Sequence, residues 1–357
     1  MGHLPEFELK RATSLAQAVA WLAADPRARL HAGGTDLVPN LRRGIERAAV
    51  LVDLSAVHGL SDITLTDTGL ALGARVTLAR LATDPSIAQQ FPALAQAAGA
   101  VAGPAHRSSA TLGGNLCLDT RCVFYNQSDW WRAANGHCLK RGGTLCHVAP
   151  QGTHCHAAFS GDLAPALLVL GAEVDLVGAR GTRLLPLAEL YRDDGAAHLA
   201  LAHDEVLIGV RIPAAAPGQR SGYRKARTRA AMDFPLAGVA IALTLHEGAI
   251  GVRADHGVRG VGGVGGVAGE GGVLADLRVA ITGTNSKPFL LAGCDPFAGR
   301  RVDAELLAQL GKLVQKQVSP ARSTVTPSNY RRLAAAALAQ RLLLELAAVA
   351  PGAGGGA

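Results

Sequence analysis

The distribution of cysteines constrains this chain more than any other feature. Five of its six cysteines fall within 39 residues, at positions 117, 122, 138, 146 and 155, and the sixth is Cys294. Residues 117–160 are polar and rich in Cys, His, Gly and Trp, with little helical or strand periodicity. Four soft thiolates around one site suit a [4Fe–4S] cluster or a structural zinc ion, since both take roughly tetrahedral sulfur donors. The segment is therefore interpreted as an insert that folds around a metal site.

The spacing of these cysteines leaves the kind of metal open. From Cys122 onward, 15, 7 and 8 residues separate successive cysteines, and the paired CxxC motifs typical of zinc knuckles are missing. Mixed Cys/His zinc ligation stays an alternative because the same segment contains four histidines. These are His137, His147, His154 and His156.

Length and composition limit the number of domains and the class of protein to which the chain can belong. At 357 residues it is long enough for two or three domains, each with a core of its own. Hydrophobic residues make up 49% and charged residues 18%, which excludes a disordered, collagen-like or coiled-coil protein. The net charge is +7, but the 35 basic residues are scattered without a dense basic run, so no nucleic-acid partner is predicted.

The chain carries no signal that predicts export or a membrane span. Its first ten residues, MGHLPEFELK, contain acids and lack the apolar run of a secretory signal. The most apolar stretch, residues 333–350, is interrupted by Gln340, Arg341 and Glu345, which favours an amphipathic helix. We expect a cytoplasmic protein with no membrane partner. In that reducing compartment, clustered cysteines indicate metal or redox chemistry in preference to disulfides.

The N-terminal part alternates helix and strand patterns. Ser14 is a predicted helix N-cap with Gln17 three residues on, and strands are predicted at 28–31 and 50–54. A hairpin turning at residues 67–69 and two helices follow, and the helices are predicted near 78–89 and 93–101. After residue 160 the sequence predicts a helix following Asp162, a hairpin over 173–185 and a strand at 206–212.

The C-terminal part begins after residues 213–222, whose composition is that of a linker. A strand-rich stretch leads to a glycine-valine tract at 257–273, which contains a formal GxGxxG at Gly260, Gly262 and Gly265. No clear strand precedes this tract and no helical pattern follows it, so we interpret it as a loop. Two helices are predicted near 303–317 and 327–349, the second with Thr326 as N-cap and Pro327 at its first position.

Two glycine-rich loops carry the candidate ligand site. AGGTD at 32–36 follows a short apolar strand, and its paired glycines would let backbone amides approach a ligand that any Cβ would block. Successive N–H groups there could form an anion nest for a diphosphate, with Thr35 adding a hydroxyl. TLGGN at 111–115 repeats the pattern. Taken singly, each loop is explained equally well by a tight turn that needs positive φ.

In their contexts, the two loops resemble those of the FAD-binding medium subunits of the molybdenum hydroxylases, a family that includes xanthine dehydrogenase and carbon monoxide dehydrogenase. The resemblance rests on LHAGGTDLVP, LGARVTLARL, SSATLGGN, SGDLAPALLVLGAEV, DEVLIGVRIP and TPSNYRRLAAAALAQRLL. It implies an α+β fold in which a two-part FAD-binding domain of the PCMH/VAO type spans 1–216, with subdomains of about 1–56 and 57–216 and the Fe–S loop insert at 117–160. A C-terminal α+β domain, like that of the CO dehydrogenase flavoprotein, would span 217–350, and 351–357 would be a tail.

The same resemblance implies which residues hold FAD. Both loops, a carboxylate, an apolar residue and one basic residue would contribute. Carried over position by position, these are Leu30, His31, Ala32, Gly33, Gly34, Thr35, Asp36, Leu37, Thr111, Leu112, Gly113, Gly114, Asn115, Asp162, Leu207 and one of Arg224 or Lys225. Asp162 also has a simpler interpretation, because an aspartate directly before LAPALL is a typical helix cap.

The insert departs from most of the family, in which TLGGN runs almost directly into the counterpart of SGDLAP. Here about forty residues intervene. Cys117 directly follows GGNL, in a part of the chain that relatives without an insert share, so we assign it to the flavin-domain body. The remaining four, Cys122, Cys138, Cys146 and Cys155, are the predicted ligands of a [4Fe–4S] cluster. Such an insert is similar to that of the β subunits of 4-hydroxybenzoyl-CoA reductases.

That similarity implies partners and a direction of electron flow. Ferredoxin would reduce the cluster, the cluster would reduce FAD, and FAD would pass electrons to a small subunit with two [2Fe–2S] clusters. A large molybdopterin subunit of the same heterotrimer would remove the phenolic hydroxyl, so no catalytic residue is expected here. Two alternatives stay open: a hydroxylase subunit with outward flow, and a zinc-stabilised nucleotide-binding or scaffolding module. The aromatic residues Phe124, Tyr125, Trp130 and Trp131 would wall the cluster, form a donor surface or simply pack the loop.

Overall fold

A computed structural model of the chain describes residues 3–229, 232–246 and 272–348. The three glycines of the GxGxxG pattern and the predicted tail at 351–357 lie outside these residues. The described residues form three sheets, two of which follow one another along the first 213 residues and the third of which lies near the C-terminus.

The first sheet is parallel and has three strands. Its elements are β1 (Glu8–Arg11), α1 (Leu15–Ala24), β2 (Ala28–His31), α2 (Leu37–Arg42) and β3 (Val50–Asp53). The strand order is β1-β3-β2, and β3 is buried along its whole length. Ser14 caps α1 as predicted, because its Oγ accepts the N–H of Gln17 at 3.2 Å. Val19 and Leu22 then pack this helix against the apolar sheet.

The second sheet is antiparallel and has five strands in the order β4-β5-β8-β6-β7. Its strands are β4 (Ile63–Thr66), β5 (Gly69–Gly73), β6 (Glu173–Gly178), β7 (Gly181–Pro186) and β8 (Val206–Pro213). The helices that belong with it or with the insert are α3 (Leu78–Thr83), α4 (Pro85–Gln90), α5 (Pro92–Ala100), α6 (Pro104–Arg107), α7 (Leu112–Leu116), α8 (Asp129–Ala134) and α9 (Leu163–Val169). All seven residues of α9 are buried, so this helix forms the centre of the domain.

The helix predicted at 78–89 is in fact two helices, α3 and α4. Asp84 separates them in an extended conformation, with φ −69° and ψ 120°. Pro85 disfavours a helical residue before it, and the Asp84 carboxylate accepts the N–H groups of Ser86 and Ile87 at 3.0 Å each. The hydrophobic period alone does not reveal this break, because Leu81 and Ile87 are buried on both sides of it.

The third sheet is antiparallel, with four strands in the order β12-β11-β10-β9. The elements are β9 (Arg220–Ala226), β10 (Ala237–Leu245), β11 (Leu274–Thr282), β12 (Phe289–Leu290), α10 (Ala304–Gln317) and α11 (Ser328–Ala347). The predicted start of α11 was one residue early, because Pro327 is still extended and takes the N-cap position. Ala240, Ala242 and Ala280 of this sheet join the core around α9, so the hydrophobic core continues from the second sheet into the third.

None of the described helices has both the length and the apolar character needed to cross a lipid bilayer.

Candidate functional site

The first glycine loop lies between β2 and α2 and rests directly on the second. Leu30 and His31 end β2, residues 32–36 form the loop, and Leu37 begins α2. A Cβ added to Gly33 would lie only 1.9 Å from the carbonyl oxygen of Ser109, just before TLGGN. Gly34 has a φ of +68°, a conformation that glycine adopts without strain. The chain thus brings the two predicted loops into contact at positions where only glycine fits.

The first loop presents a row of unused backbone donors. Within the described parts of the chain, no acceptor receives the N–H groups of residues 32–37. Such consecutive free amides form a concave anion site. The carboxylate of Asp53 at the end of β3 lies behind the loop, 3.6 Å from Nδ1 of His31. This arrangement agrees with a diphosphate site at AGGTD.

The second loop does not repeat this design, contrary to the sequence-based prediction. TLGGN folds into the short helix α7, and its donors are used: Leu112 N–H bonds to Val76, Gly113 N–H to Ala74 and Gly114 N–H to the Thr111 hydroxyl, at 2.9, 2.8 and 3.2 Å. A Cβ on Gly113 would lie 3.0 Å from the Ala74 Cβ. The glycines here serve close packing against the segment after β5.

Two further predicted positions are tied to the second loop. Asn115 accepts the N–H of Leu163 through its side-chain oxygen at 3.1 Å, which connects the loop to α9. Leu207 is buried on β8, and its neighbour Ile208 accepts the N–H of Ala74, the residue that holds Gly113. Leu207 therefore lies in the supporting core behind the loop.

Asp162 forms a buried ion pair across the two parts of the chain. Its carboxylate accepts the Tyr223 hydroxyl at 2.6 Å and lies 3.0 Å from the Lys225 ammonium, and both charged side chains are 3% exposed. Asp162 occupies the N-cap position of α9, as the sequence suggested, but its side chain makes no cap hydrogen bond and forms the ion pair instead. Burial raises the pKa of Asp162, and the nearby ammonium of Lys225 opposes that rise.

Strand alternation separates the two basic candidates on β9. Tyr223 and Lys225 are two residues apart and face Asp162, whereas Arg224 points to the other side and pairs with Glu345 of α11 at 2.9 Å. Of the pair predicted together, only Lys225 therefore lies at the buried face of the sheet. Tyr223 was not predicted, although the alternation along β9 would have placed it beside Lys225.

The four cysteines predicted as ligands line one small cavity. The insert brings together Cys122, Cys138, Cys146 and Cys155 although they are spread over 34 residues of the sequence. Backbone N–H groups approach two of the sulfurs, from Tyr125 to Cys122 at 3.2 Å and from Ala157 to Cys155 at 3.5 Å. Such bonds stabilise thiolates and, in iron–sulfur proteins, contribute to setting the reduction potential.

Burial raises the pKa of Cys122 and raises that of Cys155 to about 11, and neighbouring thiols of the same group add to both shifts. A cation in the cavity would offset this cost because metal ligation deprotonates thiols. The other two cysteines lie elsewhere. Cys117 follows α7 and packs against the flavin-domain core, while Cys294 is buried in the C-terminal core.

A mononuclear zinc ion needs four donors at about 2.3 Å from one point. In the described residues, no three His, Cys, Asp or Glu side chains are placed to hold a metal ion. His147 stacks on Phe124 with ring centroids 3.8 Å apart, and His154 lies against His156.

The insert is closed at its base and seated on the C-terminal sheet. Arg121 and Ala158 exchange backbone hydrogen bonds of 2.9 and 2.8 Å, which join the two ends of the insert. The Ser286 hydroxyl donates to the carbonyl of Cys155 at 3.1 Å, and the N–H of Val123 donates to Ser323 at 2.9 Å. The position of the cysteines therefore depends on both domains.

The four aromatic residues of the insert divide into two pairs. Phe124 and Tyr125 are buried and line the cavity, which agrees both with a wall around a cluster and with simple packing of the loop. Trp130 on α8 is 77% exposed, and Trp131 is partly exposed while its ring meets the edge of Phe124. The tryptophans thus lie on the outside of the insert.

Comparison with known families shows to which protein family this chain belongs. Residues 5–215 match the model of the FAD binding domain in molybdopterin dehydrogenase, and residues 221–346 match that of the CO dehydrogenase flavoprotein C-terminal domain. The chain belongs to the FAD-binding subunits of the molybdenum hydroxylase family. The predicted α+β class and the order of the two types of domain in this FAD-binding subunit are thereby confirmed.

Individual relatives agree with this membership. The chain is 30% identical over 259 residues to the xanthine dehydrogenase FAD-binding subunit of Escherichia coli O157:H7, covering 70% of this chain and 75% of the relative. It is 32% identical over 244 residues to the aldehyde oxidoreductase FAD-binding subunit PaoB of E. coli K12, covering 66% and 76%. A chain of crystalline Cu,Mo-CO dehydrogenase shares the fold, with a TM-score of 0.74, 23% identity and coverage of 97% and 99%.

The ion pair of this FAD-binding subunit gives a stability prediction. Asp162→Asn leaves the buried Lys225 ammonium without a counter-charge, so we expect the free energy of unfolding to fall by about 3–5 kcal/mol. Adding Lys225→Met should recover part of this loss, because no unpaired charge then remains. Urea unfolding followed by circular dichroism measures both changes.

The matched control is Arg224→Met, one residue away. Its exposed pair with Glu345 should contribute less than about 1 kcal/mol. Equal losses for Asp162→Asn and Arg224→Met would contradict the assigned role of the buried pair.

Proposed function

We propose that this FAD-binding subunit carries a [4Fe–4S] cluster on Cys122, Cys138, Cys146 and Cys155 and transfers electrons in a molybdenum-containing 4-hydroxybenzoyl-CoA reductase. The observation that carries the proposal is the convergence of these four cysteines on one cavity within an insert. The insert also contacts the first glycine loop, because the Arg121 guanidinium lies 3.8 Å from the Asp36 carboxylate. Two cofactor sites would thus be neighbours in one chain.

The residues of each site would have distinct roles. The free amides of residues 32–37 would hold the FAD diphosphate, and the core behind α7 would fix the second loop against the first. A bound cluster supplies one-electron transfer at a potential that charge, exposure and hydrogen bonds set between roughly −700 and +450 mV. The thiolates would hold it, and the buried aromatic wall would exclude water.

The proposed partners are a large molybdopterin subunit, a small subunit with two [2Fe–2S] clusters, and ferredoxin as electron donor. Relatives bear names such as FAD-binding subunit and medium chain, which supports assembly with other subunits. In the proposed order, electrons would pass from ferredoxin to the cluster, then to FAD, and then to the small subunit. Dehydroxylation would occur in the large subunit.

The main alternative is a hydroxylase subunit with outward electron flow. It is favoured by the names of the relatives, which are dehydrogenases, an oxidoreductase and a nicotine hydroxylase. The two functions differ in the expected order of potentials. Inward flow to FAD is downhill only when the cluster potential lies below that of the flavin.

Anaerobic purification of the full chain tests the cofactors. We expect flavin bands together with a broad absorbance shoulder at about 400 nm and about four iron atoms per chain. Zinc in a colourless protein would refute the proposal. A redox titration then tests the direction, and a cluster potential well above the flavin couple would exclude inward transfer.

The test of the substrate requires the assembled complex. Co-purified with its partners and supplied with a low-potential reductant, the complex should convert 4-hydroxybenzoyl-CoA to benzoyl-CoA. Oxidation of xanthine or an aldehyde by the same complex, without this reduction, would favour the hydroxylase alternative.

A further inference from the structure

Four cations surround one buried ring at the wall of the cysteine cavity. Tyr125 is 2% exposed and lines the cavity. Around its ring centroid lie Lys140 at 4.8 Å, Arg121 at 5.3 Å, Arg132 at 5.4 Å and Arg141 at 5.4 Å. We call these four residues the Tyr125 cage. An aromatic ring attracts a cation to its face, but a single ring does not account for four.

Carboxylates balance the cage only in part. Asp119 lies 2.6 Å from Lys140 and 3.8 Å from Arg121, and Asp36 is also 3.8 Å from Arg121. Asp129 pairs with Arg132 at 3.1 Å, but its side chain is 47% exposed. Three carboxylates therefore pair directly with the four cations, and Asp129 is well solvated and also paired with the exposed Arg47. A fourth carboxylate, Glu46, also acts on Tyr125 but is paired with Arg29 at 3.5 Å.

Three members of the cage carry unused donors. Arg121 Nη1, Arg132 Nε and Arg141 Nε are buried, and each lacks an acceptor among the described residues. Buried hydrogen-bond donors without acceptors lower the stability of the fold. A cluster of such donors therefore needs an explanation. A [4Fe–4S] core with four thiolates would be a buried anion next to Tyr125 and Lys140, which both line the cavity, and it would give the cations around Tyr125 a negative charge to stabilise.

Arg121 extends the cage toward the first glycine loop. Its guanidinium lies between the Tyr125 ring and the carboxylate of Asp36, the last residue of AGGTD. Its backbone pairs with Ala158 at the base of the insert, which fixes its position between the two sites. A charge at Arg121 therefore acts on both cofactor sites, whereas Arg141 belongs to the insert alone.

Resting on the proposed function, we propose that the Tyr125 cage raises the reduction potential of the cluster and that Arg121 also raises that of the flavin. Reduction adds one electron and hence one negative charge to the cluster. Nearby cations stabilise the more negative state, and in the buried insert this effect is screened less than at the surface. The cage thereby brings the low reduction potential of the cluster closer to that of the flavin.

The test compares variants of the full chain, purified anaerobically. Arg121→Gln and Arg141→Gln each remove one caged charge, and Arg47→Gln removes one from an exposed arginine of the same region that lies outside the cage. The cluster potential is measured by low-temperature EPR during a redox titration, and the flavin potential by absorbance. Arg141→Lys keeps the positive charge and should therefore keep the cluster potential. This variant distinguishes an effect of the charge from an effect of the shape of the side chain.

We expect each caged variant to shift the cluster equilibrium at least about tenfold toward the oxidised form, which is ~59 mV for one electron. Arg47→Gln should leave it unchanged, and only Arg121→Gln should also lower the flavin potential. Unchanged potentials in both Gln variants would overturn this inference and leave the proposed function intact. Absence of iron from the wild-type chain would instead overturn the proposed function itself.

Discussion

Cys138→Ala is expected to reduce the iron content from about four atoms per chain to below one. A cluster held by three thiolates in this cavity would expose one iron to exchange and loss, because the one histidine among the described lining residues, His147, already bonds to the carbonyl of His137 through Nε2 at 2.6 Å. FAD content should be unchanged, since Cys138 lies outside both glycine loops. Iron and sulfide analysis of anaerobically purified protein, with the absorbance at about 400 nm, measures the effect.

Cys294→Ala and Cys117→Ala are the matched controls. Both cysteines are outside the cavity, one in the C-terminal core and the other against the flavin-domain core, so iron should be retained in both variants. The Cys117 variant is decisive for ligand assignment. Loss of iron from Cys117→Ala, together with its retention in Cys138→Ala, would contradict the assignment of the four ligands.

Gly33→Ala is expected to weaken FAD binding by at least about tenfold and to lower stability by about 1–3 kcal/mol. The added Cβ would lie 1.9 Å from the Ser109 carbonyl oxygen, so the first loop must move away from the second. This movement would disperse the free amides of residues 32–37. Flavin fluorescence titration of the apoprotein and thermal unfolding measure the two effects.

Gly99→Ala is the control for this substitution. Gly99 lies on an exposed turn of α5, and the nearest atom to an added Cβ is that of Ala82 at 3.8 Å, an ordinary contact. Alanine also favours the helix more than glycine does. Flavin binding should not change, and stability should be equal or higher. A wild-type affinity in Gly33→Ala would show that FAD does not depend on this contact.

The sequence was most informative where the signal is local. The cap at Ser14, the strand at Ala28–His31 and the long C-terminal helices follow from spacing that neighbouring residues determine. The two glycine loops could be found because a close backbone approach requires glycine itself. Sequence separated Cys117 from the other four cysteines through its place after GGNL, and the structure also puts it outside the cavity.

The sequence was least informative where distant segments meet. Tyr223 and Arg121 gain their importance from Asp162 and Tyr125, and no spacing along the chain predicts those contacts. Tertiary contacts also decide whether the backbone N–H groups of each glycine loop are free or hydrogen-bonded. TLGGN looks like AGGTD in composition, but its N–H groups bond to Ala74 and Val76, in the segment after β5, and to its own Thr111.

The contacts between the insert and the C-terminal sheet bear on how the protein matures. Ser286 and Ser323 hold the chain around Cys155 and Cys122, and Ser323 is itself held by the buried Arg331 of α11 at 2.8 Å. All three residues leave the ribosome after Cys155, the last of the four proposed ligands. We therefore expect the cysteines to stay open to solvent during synthesis, and iron to be inserted only after the complete chain has folded around them.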